Sequence, residues 1–149
     1  MRILGIDYGE ARVGIAITDE LNITVQGLKT IEHKGNDKIL LAELDKILQE
    51  YNVDTIVVGM PINMNGTKGP RAEKTEKFIH KLKCKYNKIN IEKIDERLTT
   101  VQAHKTMNDL EINKKKKRAL VDTISAVYIL EVYLNKIRNG KIKLPVLEK

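Results

Sequence analysis

The chain has 149 residues, of which 42% are hydrophobic and 32% charged, a make-up that excludes a disordered chain and suits one domain with a real core. Tryptophan is absent and Phe78 is the single phenylalanine, so a platform of several aromatics for single-stranded bases is not expected. Lys and Arg outnumber Asp and Glu by 27 to 20, a net charge of +7, which favours a polyanionic partner.

Cys84 is the only cysteine, which rules out an intrachain disulfide and a zinc site built on several thiolates. His33, His80 and His104 lack ligand spacing and read as structural surface residues. With a strand opening at Met1 no signal peptide is expected, and no apolar run is long enough to span a bilayer. The expected compartment is the cytoplasm.

In chain order, Arg2 to Asp7 and Val13 to Thr18 read as strands joined by a short hairpin link. Asp19-Glu20-Leu21-Asn22 is a second turn, leading to a third strand near Ile23 to Ile31. Short links between successive strands predict an antiparallel meander. The period then changes: Leu40, Leu44, Ile47, Leu48 and Tyr51 recur at helical spacing behind Asn36 as N-cap. Thr55 to Gly59 is a β-branched run, read as a buried strand. After a polar loop, Pro70 opens a helix that turns Thr75, Phe78, Ile79 and Leu82 inward. Ile89 to Ile94 is a fifth strand, and Thr99-Thr100-Val101-Gln102 matches a capping box for a helix running to about Leu110. A basic loop, 113–118, precedes a last long helix ending near Asn139-Gly140. There is no internal repeat and no linker, so residues 1–149 read as one α/β domain of order βββαβαβαα with a mixed sheet.

Three acids stand out within this frame. Asp7, in Gly5-Ile6-Asp7-Tyr8-Gly9, lies where a strand ends beside glycines, a place where α/β folds hold ligands and where metal or phosphate can approach the backbone. A turn aspartate bonded to its own backbone is the bland alternative. Glu96 or its neighbour Asp95 follows the fifth strand; Glu96 is favoured, and a solvated ion pair with Arg97 is the alternative. Asp122 interrupts the apolar run Leu120 to Val127, with small Ser125 and Ala126 beside it on a helix. An Arg118–Asp122 pair on a solvent face is its alternative. An acid in an apolar pattern must be paired, protonated or bound to a cation, and gathered carboxylates are the hard ligands of Mg²⁺. Lys114, Lys115, Lys116, Lys117 and Arg118 stand shortly before Asp122, where they can follow a phosphate backbone or form a solvated charge run. Arg71, near a helix N-terminus after a glycine-containing loop, is a second candidate for phosphate.

The motifs Gly5-Ile6-Asp7-Tyr8-Gly9, Val58-Gly59-Met60-Pro61, Asn65-Gly66-Thr67, Asp95-Glu96-Arg97-Leu98-Thr99-Thr100 and Val121-Asp122-Thr123-Ile124-Ser125-Ala126 together resemble the YqgF family, also called RuvX, over nearly the whole chain. That family belongs to the ribonuclease H-like superfamily and is described as pre-16S rRNA nucleases, earlier as Holliday-junction-resolvase-like proteins. The resemblance implies a five-stranded sheet, an antiparallel meander plus parallel strands flanked by helices. It implies Asp7, Glu96 and Asp122 as catalytic acids holding Mg²⁺ or Mn²⁺, with Arg97 and the basic run assisting nucleic acid binding. The expected activity is a metal-dependent endonuclease on structured RNA, precursor rRNA, by a monomer or weak homodimer. The rivals are a resolvase of branched DNA and a non-catalytic RNA-binding assembly factor. An actin/Hsp70-like ATPase, suggested by the first glycine motif alone, needs a longer chain and a second phosphate loop.

Overall fold

The computed structural model describes residues 1–61, 65–95 and 114–139, with side chains over 114–122 left out of the description. Among the described residues eight elements follow one another: β1 (Arg2–Tyr8), β2 (Arg12–Thr18), β3 (Val25–Glu32), α1 (Asp37–Glu50), β4 (Val53–Met60), α2 (Pro70–Lys85), β5 (Asn90–Asp95) and α3 (Lys114–Arg138). The helix expected over 99–110 lies outside the described residues. The strands form one five-stranded sheet in the order β3-β2-β1-β4-β5. β1, β2 and β3 pair antiparallel as the expected meander, whereas β4 and β5 add parallel to β1. Each parallel step returns through a helix, as a parallel pair requires.

Local chemistry explains the boundaries. Asn36 caps α1, its side chain accepting from the Lys38 N–H at 3.0 Å. Pro70 occupies the first turn of α2, and Thr75, Phe78, Ile79 and Leu82 are buried as their spacing predicts. One boundary differs. The lysine run, expected in a loop, forms the start of α3. Lysine is a good helix former and the run holds no glycine or proline, so charge alone did not make it a loop. Its cost is electrostatic: the first turn of α3 carries lysines and no acid, at the end of the helix that favours negative charge.

The sheet separates two apolar layers. On one face Leu4, Ile6, Ile15, Leu40, Leu44 and Phe78 belong to the core under α1 and α2. On the other, Ile3, Ala16, Val57 and Ile94 pack with Ala126, Ile129, Leu130 and Tyr133 of α3. Gly5 pairs with Ala16, and Ala16 with Gly27, a row of minimal side chains across three strands. A Cβ on Gly5 would stand 2.5 Å from Leu130 Cγ and 3.0 Å from the Ala126 carbonyl oxygen. A Cβ on Gly27 would collide with the Thr123 methyl. The row of small residues therefore lets α3 lie directly on the backbone of the sheet.

Candidate active site

Strand alternation places Asp7 on the face of Ile3 and Gly5, the face that α3 covers. Asp7 is half-buried, the last but one residue of β1. Its cross-strand neighbour is Gly14, whose own neighbour on β3 is Thr30. Thr30 Oγ1 and Thr123 Oγ1 of α3 share a hydrogen bond of 3.0 Å. The row holding Asp7 is thus tied at its outer end to the helix carrying Asp122.

The register of α3 on the sheet is fixed by the glycine contacts. Thr123 and Val127 lie over Gly27 of β3, whereas Ala126 and Leu130 lie over Gly5 of β1. Positions four apart share a helix face, so position 122 continues the line of Ala126 and Leu130 by one turn. Thr123 also reaches Thr30, which lies further along β3 than Gly27, in the sense that runs from Gly5 to Asp7 on β1. Moving back along α3 therefore moves toward Asp7, and the backbone of Asp122 belongs to that end of the sheet.

The sequence left open which of Asp95 and Glu96 turns toward this face. Ile94 packs on the α3 side, and Asp95 pairs with Met60 as the last residue of β5. Alternation then puts Asp95 on the α1/α2 face. Glu96 and Arg97 lie outside the described residues.

Beside Asp7, the turn 9–11 joins β1 to β2. A Cβ on Gly9 would meet the Arg12 carbonyl oxygen at 2.5 Å, so the turn closes only around glycine. The N-terminus of α2 stands against this turn. Lys74 donates to Glu10 at 2.7 Å and holds its carboxyl below the ordinary glutamate range, with a smaller contribution from the Arg71 charge. The structure thus brings Arg71 to the side of the turn that follows Asp7. Gly69 caps α2 without a side-chain hydrogen bond, which leaves the first N–H groups of the helix to other acceptors. Lys114 to Arg118 lie on the opening turns of α3, ahead of Asp122. A cavity of about 660 Å³ lined by Arg2, Glu20 and Tyr51 sits at the other end of β1, away from these acids.

Reading the sequence did not single out Lys74, which contacts Glu10 across 64 positions. It also misplaced His33. That ring is buried, 1% exposed, and not on the surface. Nε2 stands 2.8 Å from the Gly9 carbonyl oxygen, and Nδ1 accepts from the Gly35 N–H at 3.1 Å. A signal did exist: His33 is two residues past buried Ile31, so the strand period carries it inward.

The family described as "RuvX: Holliday junction resolvase" matches residues 1–136. A Ruminiclostridium cellulolyticum protein described as "Putative pre-16S rRNA nuclease" is 55% identical over 141 residues, covering 95% of this chain and 99% of its own. A protein of the same description from Acetivibrio thermocellus is 48% identical over 142 residues, 95% of this chain and 99% of its own. In fold the chain is similar to Thermus thermophilus RuvC in complex with a Holliday junction, with a TM-score of 0.58 at 10% identity over 94% of this chain and 97% of the other. Fowlpox virus resolvase, also solved with junction DNA, gives a TM-score of 0.56 at 16% identity over 92% and 99%. With the expected sheet order, the two-sided packing and a family match spanning nearly every element, the chain belongs to the RuvX family, on a ribonuclease H-like fold.

Proposed function

We propose that this chain is a divalent-metal-dependent endonuclease that cleaves precursor 16S rRNA in the cytoplasm, residues 1–149 acting as one nuclease domain. Hydrolysis of nucleic acid is the role that family and relatives support. The observation that carries the reading is the convergence of Asp7 and the Asp122 position on one face at one end of the sheet. Glu96 is the third acid of this reading, as the resemblance to the family implies.

The donor set fits the expected metal. Carboxylate oxygens are what Mg²⁺ and Mn²⁺ select. Asp7, Glu96 and Asp122 would hold the ions. When bound, two such ions supply the charge that activates water and stabilises the departing 3′ oxygen. The protein's own share is placement. The Gly5–Gly27 row sets the depth of α3, and through it the separation of Asp7 and Asp122. Arg71 and Lys74 flank the turn after Asp7, where a phosphate of the substrate can lie. Arg97 and residues 114–118 extend a sequence-independent grip on the backbone. Lysines held at the positive end of α3 are a reason for phosphate to settle there, since an anion relieves their mutual repulsion.

The test is incubation of purified protein with precursor rRNA and Mn²⁺ beside Asp7→Asn. Wild type should cut, and the amide variant should lose cleavage while keeping its fold and its affinity for RNA. Equal cutting by both proteins refutes the site. The family description favours one other substrate, branched DNA; cleavage of a four-way junction and not of precursor rRNA in the same assay would decide for it.

A further inference from the structure

We propose that His33 is a positioning residue for Asp7, acting through the carbonyl of Gly9; the inference rests on the active-site reading above. A carbonyl oxygen only accepts, so Nε2 must carry the proton it shares with Gly9. A backbone N–H only donates, so Nδ1 must offer its lone pair to Gly35. Together these bonds define a neutral ring in a single tautomer.

The corner that holds the ring is shaped for that purpose. Lys34 at φ 51 and Gly35 at φ 82 both lie in the left-handed region, which folds the Gly35 N–H back over the imidazole. From the same corner the His33 and Lys34 N–H groups both donate to the Ala11 carbonyl, at 2.9 and 3.1 Å. Three hydrogen bonds from residues 33–34 therefore grip the turn 9–11, two residues beyond Asp7. The ring is itself fixed sideways. Tyr8 stacks on it at 5.8 Å and on Phe78 at 4.4 Å, and the Tyr8 hydroxyl donates to Asp37 at 3.0 Å. Lys81 reaches the other Asp37 oxygen at 2.8 Å. Asp7 thus lies between a strand pairing on one side and a turn clamped from beneath on the other. Loosening the clamp shifts a carboxylate whose placement sets the reaction, and misplacement by about 1 Å can cost about a hundredfold in rate.

Two variants separate positioning from mere burial. His33→Gln extends an amide donor to the Nε2 position and can keep the Gly9 bond. His33→Asn places its oxygen near Nδ1, keeps the Gly35 bond and releases Gly9. For precursor rRNA with Mn²⁺, His33→Asn should lower kcat about ten- to a hundredfold with KM nearly unchanged, and His33→Gln should recover most of it. By NMR, wild type should show the Nε2–H tautomer. The amide signals of Gly9, Glu10 and Ala11 should move in His33→Asn and stay in place in His33→Gln. Wild-type kcat in both variants overturns the inference. So does an equal loss in both with the turn amides unmoved. Asp7→Asn in the same assay keeps the two readings apart: if it still cuts, the active site is misassigned and this inference falls with it. If it is dead beside a fully active His33→Asn, only the positioning role falls.

Discussion

The two faces of the sheet are packed by opposite means. Toward α1 and α2, large side chains fill the space: Leu4, Ile6, Leu44 and Phe78 are all fully buried, and Tyr8 stacks between Phe78 and His33. Toward α3, side chains are removed: Gly5, Ala16 and Gly27 let the helix rest on backbone. The first arrangement supplies stability and tolerates some relaxation. The second sets a distance, since a helix seated on backbone cannot approach further and an added methyl lifts it. Asp7 sits on the face where distance is set, and the clamp on the turn that follows it comes from the face where stability is made.

The largest expected effect contrasts the faces directly. Leu44→Ala should cost about 2–5 kcal/mol of stability by the cavity it leaves, with kcat per folded molecule unchanged. Gly5→Ala should cost about 1–3 kcal/mol through overpacking against Leu130 and the Ala126 carbonyl, yet lower kcat as well. Chemical denaturation and single-turnover cleavage of the two variants check this. Loss of kcat in Leu44→Ala, or none in Gly5→Ala, breaks the distinction.

Metal comes next. Mn²⁺ at a hundred times its dissociation constant should stabilise wild type by about 2.7 kcal/mol, read as a rise in Tm. In Asp122→Asn the rise should shrink, whereas in Leu44→Ala it should persist on a lower baseline. An equal rise in Asp122→Asn removes that acid from the site.

Replacing Lys114, Lys115, Lys116 and Lys117 with Gln tests the start of α3. Glutamine keeps the helix, so only charge is lost. Each phosphate contact removed should reduce the slope of log affinity against log salt by about 0.7–0.9, for all sequences alike, and cleavage at saturating RNA should survive. An unchanged slope assigns the run to solvent.

The smallest effect compares two tyrosines, one on each face. Burial, then the bond to Asp37, pushes the Tyr8 hydroxyl up to about 12. Burial, then the charges of Glu92 and Asp54, does the same to Tyr133, also to about 12. Both folded-state values lie above the ordinary value of 10.0, so the unfolded chain loses these protons first. Through these two groups stability is constant below pH 10 and falls between about 10 and 12. Tyr8→Phe breaks a hydrogen bond and should cost about 0.5–1.5 kcal/mol at neutral pH. The Tyr133 hydroxyl is buried with no hydrogen-bond partner among the described residues, so Tyr133→Phe should be neutral or stabilising. Denaturant titrations at pH 7 and across pH 9–12 measure both, and destabilisation by Tyr133→Phe would reveal a partner for that hydroxyl.

Much of this architecture follows from short-range pattern. Short apolar runs mark β1 and β2, a β-branched run marks β4, and period 3.6 marks α1 and α2. Asn36 and Pro70 fix two helix starts through the hydrogen-bonding needs of a first turn. Asp7 was visible as an acid at a strand end, and Asp122 as an acid in an apolar helix. The lysine run misled because charge hides helix propensity. Only the tertiary structure decided which partners these residues meet. His33 lies 24 positions from Gly9, Lys74 lies 64 from Glu10, and Thr123 lies 93 from Thr30. Periodicity says which way a side chain leaves its own element. It carries nothing about which strand or helix returns to face it, since that depends on sheet order and on how closely α3 can approach. Three residues with little or no side chain, Gly5, Ala16 and Gly27, set that approach, and their role becomes legible only when the strands stand side by side.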